Sequence, residues 1–195
     1  ALIERPTRGQ IVVGDQNLAT IGRRGIPAYR RRIGMVFQDH KLLFDRPIWD
    51  NVALPLVIQG TPRRELDKRV RAALDQVGLL GREQSFPIEL STGEQQRVGI
   101  ARALSVEPAL LFMDEPFSQV DALTAESLRA EVLDIWAVKE RNPRSILMVS
   151  HDIKEVAFMA DRIVVLGANP GRVRTVVENR LPRPRDYRSG ELLRL

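Results

Sequence analysis

The sequence predicts an α/β protein built on a mainly parallel sheet, and two observations carry that prediction. Short apolar runs alternate with longer amphipathic stretches, the pattern of repeated βα units. Three of those runs also stop at polar residues, as strands of an open parallel sheet do where they reach a ligand-binding edge. Ile33–Phe37 leads into Gln38, Ala109–Met113 into Asp114 and Glu115, and Ile146–Val149 through Ser150 into His151.

The elements follow in chain order. Gln10–Val13 reads as a strand bounded by Gly9 and Gly14, and Ile33–Phe37 as a second, after the basic stretch Arg30–Arg32. Thr61 and Pro62 suit a helix start and Gly78 its C-terminal stop. Between them Leu66, Val70, Ala73, Leu74 and Val77 recur mostly at three or four residues, a single apolar stripe. Glu94–Leu104 reads as an amphipathic helix. Ala109–Met113 and Ile146–Val149 are continuous apolar runs, expected of strands buried on both faces. Leu128, Val132, Ile135 and Trp136 mark a helix that starts just after Asp121, and Ile153–Met159 a shorter one behind His151 and Asp152. Arg162–Leu166 and Val173–Val177 are expected to pair through a turn at Asn169-Pro170-Gly171. Leu181-Pro182-Arg183-Pro184-Arg185-Asp186 is expected to be extended and exposed, because proline breaks both helix and ladder.

Composition narrows the class. The 195 residues suit one domain, or one with a subdomain, and 44% hydrophobic residues allow a sizeable core. Zero cysteines exclude a disulfide framework, a zinc ribbon and thiol catalysis. The apolar-plus-proline run Val52–Ile58 falls far short of the roughly 18 residues of a membrane helix. A net charge of +5 raises nucleic acid as a partner, but the arginines are scattered. With 6 Phe, 2 Trp and 2 Tyr there is little for base stacking, so no nucleic-acid partner is expected. The lysines are Lys41, Lys68, Lys139 and Lys154, and none follows a glycine; the 195 residues therefore hold no Gly-Lys-[Ser/Thr] phosphate loop. The opening Ala1-Leu2-Ile3, apolar at once and without Met, reads as a cut edge.

A glutamine, two adjacent carboxylates and a histidine at one sheet edge are what metal-assisted phosphoryl chemistry needs. One carboxylate suits Mg²⁺, a second can orient or deprotonate water, and histidine or glutamine can meet a terminal phosphate. Each also has a plain reading: Asp114-Glu115-Pro116 as an acidic turn, His151 as a neighbour of a helix cap, Gln38 as a loop amide. Ser91-Thr92-Gly93-Glu94-Gln95-Gln96-Arg97 opens the Glu94–Leu104 helix. It reads either as a capped surface helix or as a helix start whose free N–H groups attract phosphate.

Together and in this order the pieces resemble the ATP-binding cassette (ABC) ATPases. Leu90-Ser91-Thr92-Gly93-Glu94-Gln95-Gln96-Arg97 resembles the family signature, and Gln38 in Phe37-Gln38-Asp39 the Q-loop glutamine. Leu110–Asp114 with Glu115-Pro116 is similar to Walker B and the catalytic glutamate, Ser118-Gln119-Val120-Asp121 to the D-loop, and Ser150-His151-Asp152 to the H-loop. Pro6-Thr7-Arg8-Gly9 is similar to the segment that follows the P-loop helix.

The resemblance implies a P-loop NTPase-like (RecA-like) core, with residues 1–38 and 105–180 as core sheet. Residues 39–104 would form an inserted helical subdomain with the signature, and 181–195 an extended C-terminal tail. ATP and Mg²⁺ are implied, with Asp114 and Gln38 at the metal, Glu115 polarising the attacking water and His151 at the γ-phosphate. Ser91, Gly93 and Glu94 would serve the nucleotide held by a second ATPase subunit, with Asp121 at that interface. Transmembrane permease subunits and, for an importer, a solute-binding protein are the implied partners. The place implied is the cytoplasmic face of the membrane.

Two departures stand out. The Walker A loop, with its strand and helix, would lie before Ala1, so the chain resembles a member truncated at its N-terminus. Thr92 stands where the family usually has glycine, adding bulk and restricting the backbone. Residues from about 30 to 103 look most like the cell-division and lipoprotein-release type. Phe112–Ser118, Asn169–Val173 and Leu181–Asp186 resemble nitrate, sulfonate and taurine importers instead. Import of a small anion is the main expectation; the cell-division type and a non-catalytic interaction module are the alternatives. A DNA-repair type is disfavoured because no coiled-coil or zinc-hook insertion separates Gln38 from Ser91.

Overall fold

A computed structural model describes residues 4–138, 142–190 and 192. Ala1, Leu2, Ile3 and Lys139, singled out above, lie outside the described residues, as do 191 and 193–195 of the tail.

The central feature is a three-stranded parallel sheet. Its strands are β3 (Ile33–Val36), β4 (Leu110–Asp114) and β5 (Ser145–Val149), side by side in that order. Register sets Val36 opposite Met113 and Asp114 opposite Val149, so all three strands deliver their carboxyl ends to one edge. Central β4 buries Leu111 and Met113. The expectation that Ile146–Val149 is buried on both faces is corrected: Leu147 and Val149 are 50% and 52% exposed. Exposure alternates along β5, so one of its faces is left uncovered by the described residues.

Two further sheets stand apart from this one. β1 (Val12–Val13) and β2 (Gln16–Asn17) form a short antiparallel hairpin. It sits with a small core of Leu18, Ile21 and Tyr29. β6 (Arg162–Gly167) and β7 (Arg172–Glu178) form the expected hairpin around Asn169-Pro170-Gly171. Among the described residues, the strands of 4–38 and 105–180 fall in three sheets.

Between β3 and β4 run α2 (Ile48–Gln59), α3 (Arg63–Gln76) and α4 (Thr92–Leu104); the five-residue α1 (Ile26–Arg30) precedes β3. The sequence signal missed α2, because it is apolar on most sides and contains Pro55. What fixes its start is Asn51, wholly buried, whose side chain accepts from the Leu43 N–H and donates to the carbonyls of Leu43, Arg46 and Pro47. α3 ends as expected before Gly78, which takes a left-handed φ of 68°. α4 packs on β3, where Gly34 permits the contact: a Cβ there would lie 2.8 Å from the Pro108 side chain and 2.9 Å from the Ala103 carbonyl. One continuous hydrophobic core joins α2, α3 and α4 to the sheet and to α5 (Ala122–Ala137) and α6 (Ile153–Met159).

The tail is extended, and Pro182, Arg183, Pro184 and Asp186 are exposed as expected, yet the segment also docks on the body. Arg183 and Arg185 donate to the carbonyls of Phe158, Met159 and Ala160, and Asn179 to those of Ala157 and Ala160. These are the orphan carbonyls at the end of α6. Tyr187 packs edge-on against Phe158, and Leu192 is only 2% exposed. Proline forbids helix and ladder here, but an extended segment with guanidinium donors can still dock on a helix end.

Candidate functional site

The carboxyl edge of the sheet gathers Gln38, Asp114, Glu115 and His151, and the geometry there is specific. Asp114 ends β4 and is exposed; Glu115 follows at a left-handed φ of 45°. A non-glycine residue rarely adopts that backbone. Glu115 is held in it by its own N–H donating to the Val149 carbonyl at 2.9 Å, and by the Ser118 hydroxyl donating to its carbonyl at 3.0 Å. The turn swings the carboxylate toward β5, where Oε2 meets His151 Nδ1 at 2.8 Å. The Glu115 hydrogen bond, and then its charge, raise the His151 pKa above the ordinary 6.5. Gln38 lies exposed two residues beyond β3, on the same edge.

His151 is supported from behind. Ser150 donates to Glu155 Oε2 at 2.5 Å, and Glu155 Oε1 accepts from Arg129 of α5 at 3.0 Å. Both side chains of that ion pair are 6% exposed. The Arg129 guanidinium also lies 4.4 Å from the Tyr187 ring centre, so the tail closes over the pair. Arg129, Glu155 and Tyr187 were missed in the sequence because each makes sense only against a partner from another element.

The second group of expected site residues sits at the start of α4 and α5. Ser91 caps α4, and Glu94 closes a reciprocal box by accepting from the Ser91 N–H at 2.9 Å and the Ser91 hydroxyl at 2.8 Å. Those two Ser91 donors depress the Glu94 pKa. Thr92 takes the first helical position and is exposed, so its branched side chain is accommodated without crowding. Gly93 is buried: a Cβ there would stand 2.3 Å from Thr124 Cγ2. Asp121 caps α5, accepting from the N–H groups of Leu123 and Thr124 at 3.2 and 3.1 Å. The structure therefore brings Ser91, Gly93, Glu94 and Asp121 together at two abutting helix starts.

The parallel sheet with its helical insertions matches a P-loop NTPase-like fold, and its edge carries an exposed carboxylate, a histidine-paired glutamate and a glutamine. Comparison with known proteins agrees. The ABC transporter family matches residues 1–118. The cell division ATP-binding protein FtsE of Escherichia coli is 44% identical over 164 residues, spanning 84% of this chain and 72% of FtsE. The methionine import ATP-binding protein MetN of Rhodopseudomonas palustris is 42% identical over 172 residues, 88% of this chain and 45% of MetN. Among solved structures, the ATP-binding cassette MJ0796, a dimer in a post-hydrolysis state bound to ADP and Pi, superposes with a TM-score of 0.77. Its identity is 28%, over 91% of this chain and 76% of that one. CbiO1 from Clostridium perfringens, part of the complex cbiONQ, gives 0.80 at 29% identity, over 91% and 68%. The chain belongs to the ABC transporter family and corresponds to its ATPase module.

Proposed function

We propose that the chain powers an ABC assembly of the cell-division type by hydrolysing ATP at the edge formed by Gln38, Asp114, Glu115 and His151. The observation that carries this reading is the Glu115–His151 contact beside Asp114. Glu115 is the general base: its carboxylate is aimed from a constrained turn. His151 uses Nδ1 on Glu115, which leaves Nε2 on the exposed side to meet a phosphate oxygen.

The donor set fits Mg²⁺. Asp114 and the Gln38 carbonyl are exposed, hard oxygen donors on one edge, and Mg²⁺ binds through one or two carboxylates plus phosphates and water. When bound, the metal supplies Lewis-acid stabilisation of phosphate charge. Asp121 and Ser91, at the abutting helix starts, suit the contact with a second ATPase subunit; permease subunits at the cytoplasmic membrane face are the coupled partners. These 195 residues hold no Gly-Lys-[Ser/Thr] phosphate loop, since no lysine here follows a glycine.

Similarity to FtsE favours the cell-division reading over anion import. Uptake of nitrate, sulfonate or taurine, and with it a solute-binding protein, rests only on the sequence patterns at 112–118, 169–173 and 181–186.

The test is Glu115→Gln in protein that carries a phosphate loop. Turnover should fall about 10²–10⁴-fold, the usual contribution of a general base, with ATP binding retained. Unchanged turnover would remove Glu115 from the mechanism.

A further inference from the structure

Beyond Gln38 the chain passes through two successive left-handed residues, His40 (φ 58°) and Lys41 (φ 48°). Arg102 of α4 pins this turn by donating to the carbonyls of His40 at 2.5 Å and Lys41 at 2.6 Å. The imidazole of His40 points inward and is 6% exposed, and its Nδ1 bonds Oε1 of Gln96 on α4. Gln96 is wholly buried, and its Nε2 donates to the Pro116 carbonyl at 2.5 Å.

The direction of every bond is fixed by chemistry. A backbone carbonyl only accepts, so the Gln96 end that faces Pro116 is its NH₂. Its oxygen must then face His40, and His40 Nδ1 must carry the hydrogen. The result is one unbroken line from the turn after Gln38, through α4, to the Pro116–Phe117 peptide in the turn that begins at Glu115. Packing alone does not require it, because apolar groups of similar shape can replace a buried polar pair at little cost.

We infer that His40 and Gln96 are positioning residues that hold the Gln38 turn and the Glu115 turn in one register. The inference rests on the catalytic reading of Gln38 and Glu115 only for its effect on rate; the mechanical link stands apart from it. With the link made, a shift of the Gln38 turn is carried to the Glu115 carboxylate, and the two sides of the site assemble together.

The experiment is amide hydrogen exchange on the chain, joined to steady-state kinetics of the phosphate-loop-bearing protein. His40→Leu deletes the donor, and His40→Asn restores one near the Nδ1 position. His40→Leu should speed exchange in the Glu115–Val120 turn by roughly tenfold, the loss of about one buried hydrogen bond. Amides of α3 and of the β6–β7 hairpin should be unmoved. His40→Asn should recover most of the protection. In the kinetics, kcat should fall in His40→Leu with KM for ATP little changed, and recover in His40→Asn. Should His40→Leu not fold, Gln96→Met, which breaks the line at its centre, must give the same local signature. Unchanged exchange at 115–120, or a rise spread evenly over all amides, overturns the inference. Local exchange that rises while kcat stays constant keeps the link and overturns the catalytic assignment instead.

Discussion

Glu115 occupies a backbone region that costs a non-glycine residue of order 1–3 kcal/mol, and its paired His151 sits two residues past the end of the neighbouring strand β5. The chain has two histidines, and their surroundings push them in opposite directions. The Glu115 hydrogen bond and charge raise His151, while burial lowers His40 against its Gln96 bond. His151 therefore contributes stability below pH 6.5 that is lost as pH rises through its raised folded pKa. His40 contributes stability above pH 6.5 that is lost as pH falls through its lowered one. Imidazole NMR titration should show one resonance on each side of 6.5, and Glu115→Gln should bring the upper one back toward it. Two coincident midpoints would contradict the contact. The difference in legibility has the same cause. Glu115 and His151 were visible because each follows an apolar strand, a signal local in sequence. His40 was not, since its partner lies 56 residues away, although Gln96 three residues after Gly93 on a buried helix face was a readable clue.

At the scale of elements, most helices and strands were legible from periodicity and punctuation, and the misses share a physical reason. α2 lacks a polar face and is set by Asn51 bonding backwards into its own approach loop, which no periodicity reports. The tail docks through arginines that cap α6, a role carried by geometry and not by hydrophobicity. α4 and α5 show the opposite case, a legible glycine with an unexpected duty. Gly93 was read as a site for close phosphate approach, and the group that approaches it is Thr124 of the same chain. The two helix starts that carry Ser91 and Asp121 are thereby locked together. Gly93→Ala should cost about 1–3 kcal/mol by overpacking. Adding Thr124→Ser removes the offending Cγ2 methyl while keeping the hydroxyl that helps depress the Asp121 pKa, and should recover most of that loss. Urea denaturation of the single and double variants measures it; equal stability of the two would dissociate Gly93 from Thr124.

At the scale of the whole molecule, the parallel sheet and the β6–β7 hairpin are separate, and each leaves apolar residues in solvent. Leu147 and Val149 on β5, and Leu166, Val173 and Val176 on the hairpin, are at least half exposed. Asp114, Glu115 and His151 can serve metal, water and one phosphate oxygen, but nothing in the 195 residues supplies the glycine-rich cradle and lysine that hold the β- and γ-phosphates. A base aimed at an unanchored phosphate lacks the positioning that supplies much of the rate in phosphoryl transfer. The 195 residues alone should therefore show no Mg-ATP turnover above that of their own Glu115→Gln variant, in a phosphate-release assay at saturating nucleotide. A phosphate-loop-bearing form should show turnover that Glu115→Gln abolishes. Turnover by the 195 residues that Glu115→Gln removes would mean that the phosphate anchor lies among the arginines of this chain.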